Sequence, residues 1–586
     1  MKLSQLYSNK SFKNTRFNDG INLVLAKVTK RLDRSKDSHN LGKTTLISVI
    51  DFMLLKEIDQ SHIFIQYQSK FTGYVFYLEL ILNSGQYLTL RRSVDAPTKI
   101  GFKLTDTSLN LLNQDGWDMF AIKNAKVELE KYLAFDILNT WGYRKSVTYF
   151  LRSQKDYNDV FQLEKFKSGK HVNWKPFLFD LLGFNGALLT EKYSIDDEIE
   201  NQKVFIARIK KQYSVESEEV DKIKGAIELN RSEQKELQEQ IDSFNFYQQE
   251  RSLNKEVIED IEKNISELNT IEYNLDYDLE KAKESLSNKA SFDIDQLKKI
   301  YEEVNVFFPN NLVKDYKSLE EFNKRITEER NKYLNEKISQ LTKQLKQIRQ
   351  DLLRYDEKRN KALSVLKDKD SFRKFKTYQV ELSKVEGEIV RLEEKLTSID
   401  RVAVLNEQTK QLTENLETLV KQIGNQITSS ENKIYPEIRR IFHNIFKYIF
   451  NTPALVYIEP NKNGNIEFRV EVTRDNEIDI TAESKGNTYQ KMLCISFDLA
   501  VLVAYHKHSF YKFAYHDGAL EGLDNRKKAN FINLIRDYCV KYNLQYIFTS
   551  IQDDIPGDLM KTFTSDEICL TLDDSGDTGK LFEFSF

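Results

Sequence analysis

Apolar side chains recur in alternating steps of four and three at Leu334, Ile338, Leu341, Leu345, Ile348, Leu352 and Tyr355, and again at Leu382, Val385, Ile389, Leu392, Leu396 and Ile399. That spacing returns each side chain to one narrow stripe of a helix, as two helices packed along a seam require. A rougher version runs through Leu237, Ile241 and Phe244, then Ile258, Ile261, Ile265 and Leu268. Proline breaks helices, and between Pro176 and Pro436 the chain has only Pro309. Pro309 lies within Phe307-Phe308-Pro309-Asn310-Asn311-Leu312, an aromatic, turn-prone cluster. The pattern predicts an antiparallel coiled-coil arm over residues 196–430 that reverses near 290–316.

The two ends read differently. Ile21–Leu25, Gly73–Leu78, Tyr87–Leu90, Ile466–Val472 and Tyr546–Thr549 are short runs rich in β-branched and aromatic residues, and they predict strands. Strands at both ends with helices between them imply that residues 1–195 and 431–586 fold together into one α/β head, with the arm as an insertion. Charged residues make up 30% of the chain and prolines only 7 of its 586 positions, which suits long solvated helices on a modest core. The net charge of -3 offers no basic field, so any contact with nucleic acid must be local. Cys494, Cys539 and Cys569 are far apart and form no Cys-x-x-Cys pair, which argues against a zinc site or a disulfide framework. The first residues lack the apolar core of a signal peptide, and no apolar run is long enough to span a bilayer. The expected setting is cytoplasmic, with no membrane partner.

The strongest chemical signal is Ser38-His39-Asn40-Leu41-Gly42-Lys43-Thr44-Thr45-Leu46-Ile47, which follows the strand at 21–25 and opens an apolar helix. Strand, tight turn and helix in that order make a phosphate loop, because backbone N–H groups and the helix N-terminus converge on an anion. Lys43 then reaches the β- and γ-phosphate oxygens of ATP, and Thr44 places its hydroxyl on Mg²⁺. Asn40, Gly42 and Thr45 complete the expected phosphate-binding set. The first glycine of such loops is replaced by Asp37, and Asn40 tolerates the left-handed backbone that a second glycine would supply.

Near the other end, Lys512-Phe513-Ala514-Tyr515-His516-Asp517 is an apolar run closing on a carboxylate, a pattern that can deliver Asp517 to a Mg²⁺ shell. Upstream, Ser484 and Gly486 precede a helix containing Met492, Leu493, Ile495 and Phe497, an arrangement that suits an anion as well as an ordinary helix cap. Leu523-Asp524 and a further apolar helix follow Asp517.

In that order the segments resemble the coiled-coil ABC ATPases of the SMC and DNA-repair class, over essentially the whole chain. The resemblance implies an ABC-type P-loop NTPase head with Lys43 and Thr44 in Walker A, Asp517 in Walker B, Ser484 and Gly486 in the signature, and Asp524 in the D-loop. Gln154, in Phe150-Leu151-Arg152-Ser153-Gln154, looks like the Q-loop glutamine, a further Mg²⁺ contact. The insertion before the P-loop and the short arm look more like the small SMC-like ATPases of bacterial defence operons, of the Lamassu and ABC three-component types. Such proteins imply a homodimer through the heads, double-stranded DNA as a ligand, and effector (nuclease-type or otherwise toxic) and accessory subunits as partners.

Two positions depart from the family. Gly518 stands where the catalytic glutamate normally follows the Walker B aspartate, and Ser550 where a switch histidine is usual. Without a carboxylate to orient the attacking water, hydrolysis loses its base, so tight ATP binding with slow turnover is expected. Glu521 and His516 are near enough in sequence to substitute. The expected function is an ATP-dependent DNA sensor or clamp in an anti-phage or anti-plasmid complex. Its rivals are a DNA-repair ATPase working with a nuclease, and a structural scaffold with a degenerate head.

Overall fold

The computed structural model describes residues 1–27, 41–112, 114–138, 140–213, 219–244, 255–287, 312–363, 369–461, 463–473 and 487–585. The chain forms two units, residues 1–198 together with 412–586, and residues 199–411.

The first unit is built on two sheets. Strands β1 (Lys2–Ser8), β2 (Thr15–Arg16), β4 (Val75–Ile81), β5 (Tyr87–Ser93), β6 (Lys99–Thr105) and β7 (Asp118–Ala121) form an antiparallel sheet in the order β2-β1-β4-β5-β6-β7. Strands β3 (Gly20–Lys27), β8 (Leu151–Arg152), β11 (Phe513–His516), β12 (Gln545–Ile551) and β13 (Leu570–Asp573) form a parallel sheet in the order β13-β3-β12-β11-β8. Parallel strands are covered on both faces and so read as continuous apolar runs. In β3 the six residues Ile21–Ala26 are all buried, and in β11 all four are.

Both ends of the chain contribute to this sheet, and side chains tie the two sheets together. The Gln545 amide donates to the backbone carbonyl of Leu3 at 2.9 Å and accepts from its N–H at 3.0 Å. Phe582 packs against Phe12, Phe71 and Phe76. Helix Asn487–Ala504 is buried on every side from Met492 onward, as an interior helix must be. Helix Ile434–Phe450 buries Ile438, Ile441, Phe442, Ile445, Phe446 and Ile449, one apolar face at three- and four-residue spacing. A hairpin of β9 (Ala454–Pro460) and β10 (Ile466–Val472) completes the unit.

The second unit is helical. Ile223 and Ile227 of helix Val220–Ser243 pack on Ile399 of helix Lys369–Thr428, and Arg231 pairs with Glu393 at 2.7 Å while Gln234 bonds Glu386. Rising numbers on one helix meet falling numbers on the other, so these two are antiparallel. Helix Lys255–Ser287 is antiparallel to helix Leu312–Leu363: Leu279 and Ala282 pack on Leu341 and Leu345, and Arg349 binds Glu272 at 2.6 Å and Asp276 at 2.7 Å. Against helix Lys369–Thr428, however, it runs in the same direction, with Ser266 opposite Ser383 and Tyr273 opposite Glu388.

The fold class is the expected α/β one, with N- and C-terminal segments joined in one unit and long antiparallel helices between them in sequence. The expected single reversal near 290–316 needs correction. Residues 288–311 lie outside the described residues, and the helices on either side of them are antiparallel, but chain direction also changes between Ser243 and Lys255 and between Leu363 and Lys369. Apolar periodicity specifies which stripe of a helix is buried, not which helix covers it. Among the described residues no helix is long and apolar enough to cross a membrane.

His62 gives this fold a measurable acid sensitivity. Its Nδ1 accepts from the Phe64 N–H at 3.3 Å and caps the short helix Ile63–Gln66, while Nε2 is buried with no hydrogen-bond partner. Burial, and then the cations Lys56 and Arg92, push its pKa down to about 4, against the opposing pull of Asp51 and Asp59. Between that value and the free value of 6.5 the unfolded chain binds the extra proton, so the stability held above pH 6.5 is lost as pH falls toward 4. His62→Asn keeps a cap acceptor and removes the titration. Thermal unfolding at pH 7 and pH 5 is expected to show a smaller acid loss in this variant, the full effect of one such proton being up to ~3 kcal/mol.

Candidate nucleotide site

Gly42 has φ +102°, in the left-handed region, and is the entry to helix Lys43–Met53. A Cβ at this position would lie 2.6 Å from Cβ of Leu581, so backbone geometry and the packing of the C-terminal segment both call for glycine. The first-turn N–H groups of the helix have no intrahelical acceptor, an arrangement that suits an anion. Lys43 on that turn is only 8% exposed. Burial lowers its pKa, opposed by the carboxylates of Asp517, Glu521 and Asp554. Thr44 is exposed and Thr45 half-buried, while Asn40 lies outside the described residues.

Asp517 comes from the far end of the chain. It follows β11, and β12 lies between that strand and β3, so the carboxylate emerges at the C-terminal edge of the parallel sheet beside the start of helix Lys43–Met53. Ligand sites of open α/β sheets form at that edge. Thr44 Oγ1 donates to Asp517 Oδ2 at 2.7 Å across 473 residues of sequence. The other oxygen, Oδ1, accepts from Thr549 Oγ1 at 2.6 Å, and Thr549 in turn accepts from the Gly518 N–H at 2.8 Å. Thr549 was not among the residues expected at the site. The neighbouring Ser550 is buried, and its hydroxyl donates to the Ile551 carbonyl, because successive residues of a strand face opposite ways.

Gln154 approaches Glu521, with Nε2 3.2 and 3.4 Å from its two carboxylate oxygens. Lys491, on the first turns of helix Asn487–Ala504, donates to the Gly518 carbonyl at 2.8 Å and pairs with Glu521 Oε2 at 3.2 Å. Asp524 caps helix Asn525–Tyr542 by accepting from the Lys527 N–H at 3.0 Å, and it also pairs with the Lys527 ammonium. Ser484 and Gly486 lie outside the described residues. His516, the other substitute for a missing base, is fully buried and tied at both ring nitrogens, to Asp498 and Tyr546, so it cannot serve a water at the site.

Among the described residues no group of three or more His, Cys, Asp and Glu side chains is placed to hold a metal alone. Mg²⁺ asks for less, because it keeps waters and takes one or two protein oxygens plus substrate phosphates. The Thr44 hydroxyl and the Asp517 carboxylate, already 2.7 Å apart, fit that role.

Residues 441–586 match the family model described as "Uncharacterised protein conserved in bacteria (DUF2326)". The chain is 23% identical over 608 residues to "Uncharacterized protein YydD" of Bacillus subtilis (strain 168), covering 97% of this chain and 96% of that protein. Among solved structures, it is similar to the Smc head domain with a coiled coil and joint from Pyrococcus yayanosii, at 14% identity and a TM-score of 0.35, covering 94% of this chain and 92% of that one. It is also similar to the Smc head domain with an extended coiled coil, bound to the C-terminal domain of ScpA, from Pyrococcus furiosus. That match has 12% identity and a TM-score of 0.32, with 94% of this chain and 90% of that one covered.

Behind the site lies a charged network that sequence inspection does not reveal. Arg152 binds both oxygens of Asp498 at 2.6 and 2.9 Å and donates to the carbonyls of Asp156, Asp159 and Val160, with both side chains fully buried. Burial alone would lower the Arg152 pKa, but Asp498 raises it well above its ordinary value. The network fixes the segment leading to Gln154 against helix Asn487–Ala504 and, through His516, against β11. Asp498→Asn keeps the shape but leaves the guanidinium without its counter-charge. A loss of about 3–5 kcal/mol is expected, measured by urea unfolding.

Proposed function

We propose that the chain is an ATP- and Mg²⁺-binding, slowly hydrolysing ABC-type ATPase whose heads pair as a homodimer. The observation that carries this reading is the 2.7 Å bond from Thr44 to Asp517. A hydroxyl at the start of a helix and a carboxylate at the end of a parallel strand meet where a phosphate-bound Mg²⁺ would share them. A scaffold with a degenerate head would have no need to preserve that pairing, the left-handed Gly42 and the buried Lys43 together.

This chain's residues then have separable tasks. The N–H groups of the first turn and the Lys43 ammonium bind the β- and γ-phosphates. Thr44 and Asp517 hold the Mg²⁺, which when bound neutralises phosphate charge. Thr549 fixes the rotamer of Asp517 by occupying its other oxygen. Asp524 and the Ser484–Gly486 segment, by resemblance, face the nucleotide of a partner head, which would make nucleotide binding and head pairing one event. On the same resemblance, the paired heads act as the DNA-sensing or clamping part of a bacterial anti-phage or anti-plasmid complex.

Lys43→Ala removes the phosphate cation at a position where burial already disfavours it. A fluorescent ATP analogue titrated in the presence of Mg²⁺ is expected to bind the parent and to lose roughly a hundredfold or more in affinity with the variant, the scale of a lost charged contact. Equal affinities would overturn the nucleotide reading.

A further inference from the structure

Gly518 has φ +66°, and a Cβ built on it would lie 2.7 Å from Cδ and from both carboxylate oxygens of Glu521. The carboxylate therefore fills the space beside position 518, immediately after Asp517, although it is attached to the chain at 521. Two side chains hold it there. Gln154 donates to both oxygens at 3.2 and 3.4 Å, Lys491 pairs with Oε2 at 3.2 Å, and the same Lys491 ammonium donates to the Gly518 carbonyl at 2.8 Å. The Lys491 side chain is 13% exposed, whereas that of Glu521 is 36% exposed. The cation is thus part of the wall, and the carboxylate still faces solvent.

We propose that Glu521 is the catalytic carboxylate of this ATPase, supplied from a displaced position, and that Lys491 is its positioning residue. The proposal rests on the nucleotide reading above. Glu521 orients a water for in-line attack. The water oxygen bonds to the γ-phosphorus, the bond from that phosphorus to the β,γ-bridging oxygen breaks, and ADP leaves with the bonding electron pair. Glu521 takes the proton released by the water and passes it to solvent. Lys491 touches neither water nor phosphate. It links the carboxylate to the backbone at Gly518, so that the base and the Asp517 loop keep a fixed separation. Because Lys491 lies on the helix that follows Ser484–Gly486, any shift of that helix also moves the base.

The test uses the full chain with Mg²⁺ and ATP. Glu521→Gln is isosteric and is expected to leave ATP affinity unchanged, to lower kcat roughly a hundredfold or more, and to leave ATP, in place of ADP, as the nucleotide retained after gel filtration. Glu521→Asp keeps the charge with a shorter reach and should fall between parent and Gln. Lys491→Ala is expected to lower kcat at an unchanged KM, with partial recovery in Lys491→Arg. Turnover of Glu521→Gln close to the parent's, with ADP retained, would overturn the role of Glu521 while leaving the nucleotide reading intact, as would a parent that binds ATP and never turns it over. Failure of the parent itself to bind ATP would overturn the nucleotide reading, and this proposal with it.

Discussion

The site depends on one carboxylate whose two oxygens are both committed. Asp517 is 1% exposed, and it accepts from Thr44 on one side and Thr549 on the other. Those three residues come from opposite ends of the chain. They meet only because β3, β12 and β11 lie side by side and parallel, with Phe548 opposite both Leu23 and His516. Side chains alternate along a strand, so a one-residue slip of β12 would present Ser550 or Phe548 to Asp517 in place of Thr549. Burial of all three strands on both faces makes such a slip costly, and sheet register is thereby a condition of the site.

Charge at this edge of the sheet is balanced in layers. Nearest the loop, Lys43 is surrounded by the carboxylates of Asp517, Glu521 and Asp554 and is partly withdrawn from water, which lowers its pKa. Deeper in, Arg152 and Asp498 neutralise each other where no solvent reaches. A buried pair of this kind adds little net stability but makes each partner expensive to lose. Its effect here is geometric, because it fixes the segment carrying Gln154, the helix carrying Lys491 and the strand leading to Asp517 against one another.

Much of this was legible in the sequence for physical reasons. Doubly buried strands must be apolar throughout, so β3, β11 and β12 stood out, and a phosphate loop needs glycine and lysine at the mouth of a helix, so residues 42–44 did too. The strands of the antiparallel sheet were only partly visible. β6, KIGFKLT, mixes lysine and glycine into its alternation, and β7 is mostly exposed. Contacts made through space left no trace in a linear reading. Arg152 and Asp498 are 346 residues apart, and nothing in the local sequence of either, or of Thr549 and Lys491, marks the contacts they make. The helices of the second unit show the same limit, because their seams were readable and their pairing was not.

Gly518 and Glu521 together form one geometric feature. Taken alone, the glycine reads as the loss of a base. Its left-handed φ lets the chain turn sharply after Asp517, so that residues 519–521 fold back and the Glu521 carboxylate lies against the glycine. Any side chain at 518 would be strained at that φ and would begin in the volume the carboxylate fills. A glutamate at 518 and Glu521 in its present place therefore exclude each other sterically. Lys491 binds the Gly518 carbonyl and the Glu521 carboxylate at once, and it can reach both only while the turn stays closed. The residue type at 518, the backbone it permits and the ammonium that spans the turn are mutually dependent, so the position of the carboxylate in space, not its place in the sequence, decides what the loop can do.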